Sequence, residues 1–233
     1  MDPARRPASW RAMATSLVIG ASGGIGRAVA DALNARGDTV IALSRSGDGL
    51  DVTDEASVEA ALGRIEGPLD LVFVATGGLS INGSEPEKTL KALEAPRLAE
   101  QFALNAIGPA LVLKHALPRM PRDRRAVFVA LSARVGSIGD NRLGGWYGYR
   151  AAKAALNQLI HTSAIEVART HKQAVIAALH PGTVQTDLTR AYLGRHPAVT
   201  PGEAAANLLT VIDGLTPAES GQFFDWAGKR VPW

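Results

Sequence analysis

Tyr149 and Lys153 stand four residues apart in Tyr149-Arg150-Ala151-Ala152-Lys153. On a helix that spacing puts both side chains on one face. A phenol beside an ammonium is a candidate acid/base device, because positive charge favours phenolate and lowers the tyrosine pKa. Such pairs also arise by chance in ordinary helices. The pair gains meaning only if the chain supplies a hydride source, an electrophile binder and a pocket.

A second candidate is Gly20-Ala21-Ser22-Gly23-Gly24-Ile25-Gly26, between the apolar run Leu17-Val18-Ile19 and a helical pattern from Gly24 to Arg36. Glycines there let the backbone turn sharply and approach a pyrophosphate, which meets the free N–H groups and positive end of the helix. Gly20, Gly24 and Gly26 form G-x-x-x-G-x-G rather than G-x-G-x-x-G, and tight packing alone also produces glycine-rich turns. Placement after the first strand favours dinucleotide binding. At the end of the second strand an acidic residue would accept from both ribose hydroxyls and repel a 2′-phosphate. The chain has Ser44-Arg45-Ser46 instead. Arg45 offers a planar, charge-assisted donor fork and the serines offer smaller donors, so NADP(H) is expected over NAD(H); a solvated surface arginine is the alternative.

The elements that must position these groups alternate. Strands are expected at Leu17–Ile19, Thr39–Leu43, Leu69–Ala75, Ala126–Leu131, Ala174–Leu179 and Gln222–Asp225. Helical patterns cover Gly24–Arg36, Ala56–Ile65, Pro86–Leu104 (with Pro96 as a kink or stop), Asn105–Leu117, Trp146–Thr170 and Pro201–Leu215. Alternation of this kind predicts an α/β fold, a single Rossmann-type doubly wound parallel sheet with helices on both faces. No linker, repeat or low-complexity stretch divides residues 15–233, which read as one domain behind a disordered tail over 1–14; Met13 is an alternative start.

Bulk composition narrows the function. The 233 residues carry a net charge of only +3, with arginines spread along the chain rather than clustered with aromatics, so nucleic-acid binding is not expected. The absence of cysteine excludes disulfides, thiolate nucleophiles and Fe–S clusters and fits a reducing compartment. The apolar runs are too short to span a bilayer and the first residues lack a signal-peptide core, so a cytoplasmic protein is expected. His115, His161, His171, His180 and His196 show no metal-ligand spacing, and no metal is expected.

The glycine turn, Asp51-Val52, Asn105, Ser132, the Tyr149/Lys153 pair and His180-Pro181-Gly182 follow one another in an order and spacing that resembles the short-chain dehydrogenase/reductase family from about Leu17 onward. Trp146-Tyr147-Gly148-Tyr149-Arg150 and the terminal Gly221–Trp226 and Val231–Trp233 stretches are most similar to its C-factor and Sniffer-like carbonyl reductase branch. The resemblance implies an NADP(H)-dependent reduction of an aldehyde or ketone. It makes Tyr149 the general acid/base, Lys153 its assistant and holder of the nicotinamide ribose, and Ser132 the group orienting the substrate oxygen. Asn105 would hold a relay water on its backbone; read without the family, it is better taken as only a helix N-cap. Gly20, Ser22, Gly24, Ile25, Gly26, Ser44, Arg45, Asp51, Val52, Ala75, Thr76 and Gly77 would bind cofactor, Asp51 through the adenine amino group. Pro181, Gly182, Val184 and Thr186 would meet the nicotinamide carboxamide.

The chain departs from the family pattern twice. Ala75-Thr76-Gly77-Gly78 replaces Asn-Asn-Ala-Gly, and Ser132-Ala133 replaces two adjacent serines, so either Ser132 or Ser137 takes the serine role, with Ser132 preferred. Trp146 and Tyr147 either line the substrate pocket or pack beneath the helix. The loop Thr186–Val199, with Leu188, Tyr192 and Leu193, is the expected lid over an apolar pocket. A homo-oligomer, dimer or tetramer, follows by analogy. A cofactor-binding regulatory protein with little turnover is the second reading.

Overall fold

The computed structural model describes residues 14–187, 189 and 197–233. Residues 1–13 of the expected tail, the alternative start at Met13, and Leu188, Tyr192 and Leu193 of the expected lid lie outside the described residues. Ala14, expected in the tail, is buried and its carbonyl accepts from Thr39 N–H at 2.9 Å, which ties it to the sheet.

Short apolar runs form the sheet, the inner strands buried on both faces and the Thr39–Leu43 edge strand only partly covered. The strands are β1 (Thr15–Ile19), β2 (Thr39–Leu43), β3 (Leu71–Val74), β4 (Ala126–Leu131), β5 (Ala174–His180) and β6 (Phe223–Asp225). They form one six-stranded sheet of order β2-β1-β3-β4-β5-β6, parallel at every pairing. Alternation divides each strand between two cores. Phe128 and Ala130 of β4 join Leu156, Ile160, Val112 and Leu113 on one face. Val127, Val129 and Leu131 join Val29, Leu33, Leu208 and Ile212 on the other. The helices behind these residues are α5 (Gly108–Ala116) and α6 (Tyr147–Val167) on the first face, and α1 (Gly24–Ala35) and α7 (Pro201–Gly214) on the second. Strand order reverses between β1 and β3, and at such a switch point a crevice opens outside the carboxyl ends of the strands.

Several segments differ from the sequence expectation for identifiable reasons. The second strand leads directly into a one-turn helix, α2 (Arg45–Asp48), because Ser44 caps it by accepting Gly47 N–H at 3.0 Å. Next comes α3 (Glu55–Gly63), capped by Asp54. Pro86–Leu104 is not one helix. A single 3₁₀ turn covers Leu90–Ala92, and α4 (Ala95–Phe102) starts with Pro96 in its first turn. Proline there has no helical N–H to lose, so it begins the helix instead of kinking it. Asn105 is not an N-cap either: α4 runs through a π-helical segment, Ala103–Ile107, into α5. Pro109 explains the widening, since it cannot donate to the Asn105 carbonyl and its ring would crowd that oxygen in a regular α-turn. Trp146 lies outside α6 with φ 52.

The glycine turn is held by close backbone packing. A Cβ on Gly26 would lie 2.2 Å from the Gly20 carbonyl oxygen, whereas one on Gly63, at the end of α3, would meet nothing within 4 Å. Gly26→Ala is expected to lower stability by ~2 kcal/mol or more. Gly63→Ala should raise it by ~0.5 kcal/mol through reduced unfolded-state entropy. Thermal unfolding of both variants reads this, and a Gly26→Ala protein as stable as wild type would contradict the packing argument.

Candidate active site

Three elements converge on one buried cluster. From α6, Tyr149 and Lys153 project from the same face, and Lys153 is only 2% exposed. Its Nζ donates to the Leu131 carbonyl at the end of β4, at 2.8 Å, and lies 5.8 Å from the centre of the Tyr149 ring. From the π-helical segment, Asn105 grips the chain beyond β3. Its Oδ1 accepts Gly78 N–H at 3.1 Å, and its Nδ2 donates to the Gly78 carbonyl at 2.9 Å and to Gln101 Oε1 at 2.8 Å. Gly77 sits between the two groups: a Cβ there would come 2.9 Å from Asn105 Oδ1 and 3.2 Å from Lys153 Nζ. A glycine at this point is a condition of the ammonium reaching the cluster. The Asn105 amide is fully engaged, and its backbone carbonyl cannot take the ordinary i+4 helical donor because that residue is Pro109.

Burial sets the electrostatics. Desolvation pushes the Tyr149 phenol up to about 12 and pulls the Lys153 ammonium down to about 7. The tyrosine shift runs opposite to the direction expected from a neighbouring ammonium, because burial of the phenol dominates it. Among the described residues, no group hydrogen-bonds the Tyr149 hydroxyl. Both serine candidates are buried and engaged. Ser132 Oγ donates to Asn157 Oδ1 at 2.7 Å, while Ser137 Oγ accepts Asp140 N–H at 3.1 Å.

A cleft of about 290 Å³ opens at the switch point and gathers Gly20, Ser22, Ser44, Arg45, Asp51, Val52, Ala75, Thr76 and Gly77. Its residues fit a dinucleotide. The α1 N-terminus opens at Gly23 without a side-chain cap, leaving its first N–H groups for an anion. The buried Thr76 Oγ1 has no hydrogen-bond partner among the described residues. Asp51 is held below the usual carboxylate range by the Thr53 hydroxyl, with Thr53 N–H and the nearby Arg45 charge adding to the effect. Ser44 is committed to capping α2. Gly24, Ile25 and Gly26 form the first turn of α1, where a Cβ on Gly24 would meet Thr186 Cγ2 at 2.9 Å. Thr186 thereby closes on the glycine turn. Pro181 and Gly182 follow β5, Gly182 with φ 78 against the half-exposed Trp226 ring. Val184 is buried, and its carbonyl accepts from Thr189.

Comparison with known proteins fits this arrangement. A short chain dehydrogenase family model matches residues 47–195. The chain belongs to that family. The 1-hydroxy-2-glutathionyl-2-methyl-3-butene dehydrogenase of Rhodococcus sp. (strain AD45) is 34% identical over 236 residues, covering 95% of this chain and 100% of the relative. The C-signal of Myxococcus xanthus is 37% identical over 137 residues, 58% of this chain and 78% of the relative. An NADPH-bound carbonyl reductase from chicken fatty liver superposes with a TM-score of 0.80 at 25% identity, over 95% of this chain and 94% of that one. This short chain dehydrogenase is therefore an oxidoreductase with carbonyl reductases among its structural neighbours.

Sequence reasoning missed Asn157, Gln101 and Glu87. Asn157 continues the Tyr149–Lys153 face by one more turn, and Gln101 precedes Asn105 by one, so helical spacing alone would have found both. Glu87 reaches Gly148 across 61 residues of chain, which no local pattern encodes.

The lysine makes a stability prediction. With its folded pKa near 7 and its ordinary value of 10.5, the unfolded chain binds more protons between those limits. The Lys153 contribution to stability therefore rises with pH across that window, by up to ~1.4 kcal/mol per pH unit. The raised Tyr149 pKa acts with opposite sign only above pH 10. Urea unfolding at pH 7 and pH 9 should show a larger increase for wild type than for Lys153→Met. Equal increases would contradict the burial of a titrating ammonium.

Proposed function

We propose that this oxidoreductase reduces an aldehyde or ketone to the alcohol with NADPH, Tyr149 acting as the acid and Lys153 assisting. The observation that carries the reading is the Tyr149–Lys153 pair packed against Gly77, which also lines the switch-point cleft whose β2 end bears Arg45. When bound, NADPH supplies the hydride that adds to the carbonyl carbon. Tyr149 gives its O–H proton to the carbonyl oxygen as negative charge builds there. A phenol protonated throughout the neutral range has the proton to give, and the NADPH preference expected from Arg45 favours reduction over oxidation. Lys153, exchanging its proton near pH 7, restores the one Tyr149 gives up, and the Asn105 carbonyl holds a water on that route.

Within this reading Arg45 pairs with a 2′-phosphate, and Asp51 accepts from the adenine amino group while Val52 packs nearby. Gly20, Ser22, Gly24, Ile25 and Gly26 surround the pyrophosphate. Ala75, Thr76 and Gly77 line the cofactor's path, and Pro181, Gly182, Val184 and Thr186 meet the carboxamide. Ser132 orients the substrate oxygen once its hydroxyl turns from Asn157. A homo-oligomer and a cytoplasmic location belong to the same proposal; Ile107, Leu159 and Ile165 offer exposed apolar area along the Asn105 and Tyr149 helices.

The altered serine pair and the similarity to C-signal keep a second reading, a cofactor-binding regulatory protein. A panel of carbonyl compounds assayed with NADPH separates the two. Tyr149→Phe should lower kcat by about 10²-fold or more while NADPH affinity stays unchanged. Wild type that binds NADPH tightly yet turns over nothing would favour the regulatory reading.

Arg45→Ala should raise the KM for NADPH by about 10- to 100-fold and leave that for NADH near its wild-type value. A wild-type kcat/KM with NADH equal to or above that with NADPH would overturn the phosphate assignment.

A further inference from the structure

The start of α6 is held in an unusual way. The first N–H groups of a helix need acceptors, and a preceding Ser, Thr, Asn or Asp normally supplies one. Here the preceding residue is Trp146, which provides no side-chain cap. The chain also approaches in left-handed geometry for three successive residues, with φ of 64 at Gly144, 65 at Gly145 and 52 at Trp146. A bulky side chain disfavours that geometry, so it persists only where surrounding groups enforce it.

Two groups do so. Glu87, on the segment between β3 and α4, accepts Trp146 N–H on its backbone carbonyl at 2.5 Å and Gly148 N–H on carboxylate Oε2 at 3.1 Å. Arg150, one turn into the helix, donates to the carbonyls of Gly145 at 2.9 Å, Gly144 at 3.2 Å and Val135 at 3.3 Å. Gly148 makes room for the carboxylate: a Cβ there would lie 2.9 Å from Glu87 Oε1 and 3.2 Å from both Gln101 Cγ and Leu98 Cδ2. Glu87 is 6% exposed, and the positive end of a 21-residue helix is a favourable place for its charge. Tyr149 is the next residue along.

We propose that Glu87 is a positioning residue for Tyr149. Its carboxylate caps α6 from outside the helix, fixes the first turn, and so sets where the phenol stands relative to Lys153. The proposal rests on the reading of Tyr149 as the acid in carbonyl reduction, and it adds a residue that acts through the start of α6. Misplacement of a reacting group by about 1 Å can cost about 10²-fold in rate, so the first turn has leverage over turnover without contributing to cofactor affinity.

The test compares the full chain as wild type, Glu87→Gln and Glu87→Ala. The glutamine amide oxygen can still accept Gly148 N–H; alanine has nothing to accept with. Amide hydrogen exchange in a peptide spanning 146–152 should accelerate about tenfold in Glu87→Ala and stay near wild type in Glu87→Gln, with α7 unchanged in both. Carbonyl reduction should lose about tenfold or more in kcat in Glu87→Ala and recover in Glu87→Gln, while the NADPH Kd stays within about twofold throughout. Exchange in Glu87→Ala like that of wild type, Glu87→Gln as impaired as Glu87→Ala, or parallel loss of NADPH binding and kcat would each overturn it. Wild type that reduces no carbonyl sinks the functional reading instead, and the exchange comparison, which uses neither substrate nor NADPH, still decides whether Glu87 caps α6.

Discussion

An ammonium taken out of water costs several kcal/mol unless its protons find acceptors, and Lys153 has given up nearly all its solvent for one carbonyl at the end of β4. Much of the surrounding architecture follows from accommodating that group. Gly77 leaves it space, and Gly136 lets the loop after β4 pack on its backbone, since a Cβ there would meet Lys153 Cβ at 2.7 Å. Asn105 clamps the β3 end in place so that the space stays open. The result is a buried amine pulled down to about 7 beside a buried phenol pushed up to about 12, both by desolvation.

The sheet explains why these pieces meet. Parallel strands all end on the same side, so the turn after β1, the helix after β2 and the chain beyond β3 face one crevice at the point where strand order reverses. β4 and β5 add the Leu131 carbonyl and the Pro181–Gly182 loop at neighbouring positions of the same edge. Helix α6 then crosses behind β4 and β5, its inner face supplying Leu156 and Ile160 to the core and Tyr149, Lys153 and Asn157 to the polar end. One helix therefore both seals the core and carries the Tyr149–Lys153 pair.

The strands, the glycine turn and the dyad were legible in sequence because each is a local pattern: a β-branched run, a spacing of glycines, an i,i+4 pair. What stayed illegible depended on partners far along the chain. Pro96 looked like a break because proline interrupts helices, yet only its position in the first turn decides its effect. Asn105 looked like a cap because a helical run followed it, while the π-segment that holds it arises from the clash Pro109 would otherwise make. Ser44 offers a donor in sequence, but the one-turn helix after β2 uses its hydroxyl as a cap. Sequence shows the tyrosine only its lysine neighbour, whereas burial, visible only in the packed structure, dominates its pKa.

The central claim is that the cluster at Tyr149 and Lys153 serves hydride transfer from a nicotinamide held in the switch-point cleft. NADPH carrying deuterium on either face of its nicotinamide C4, incubated with a carbonyl substrate from the panel, tests this most directly by mass spectrometry of the alcohol. The account predicts one deuterium bound to the carbinol carbon from one labelled face, and its loss in Tyr149→Phe. An alcohol formed by wild type without label from either face would contradict it.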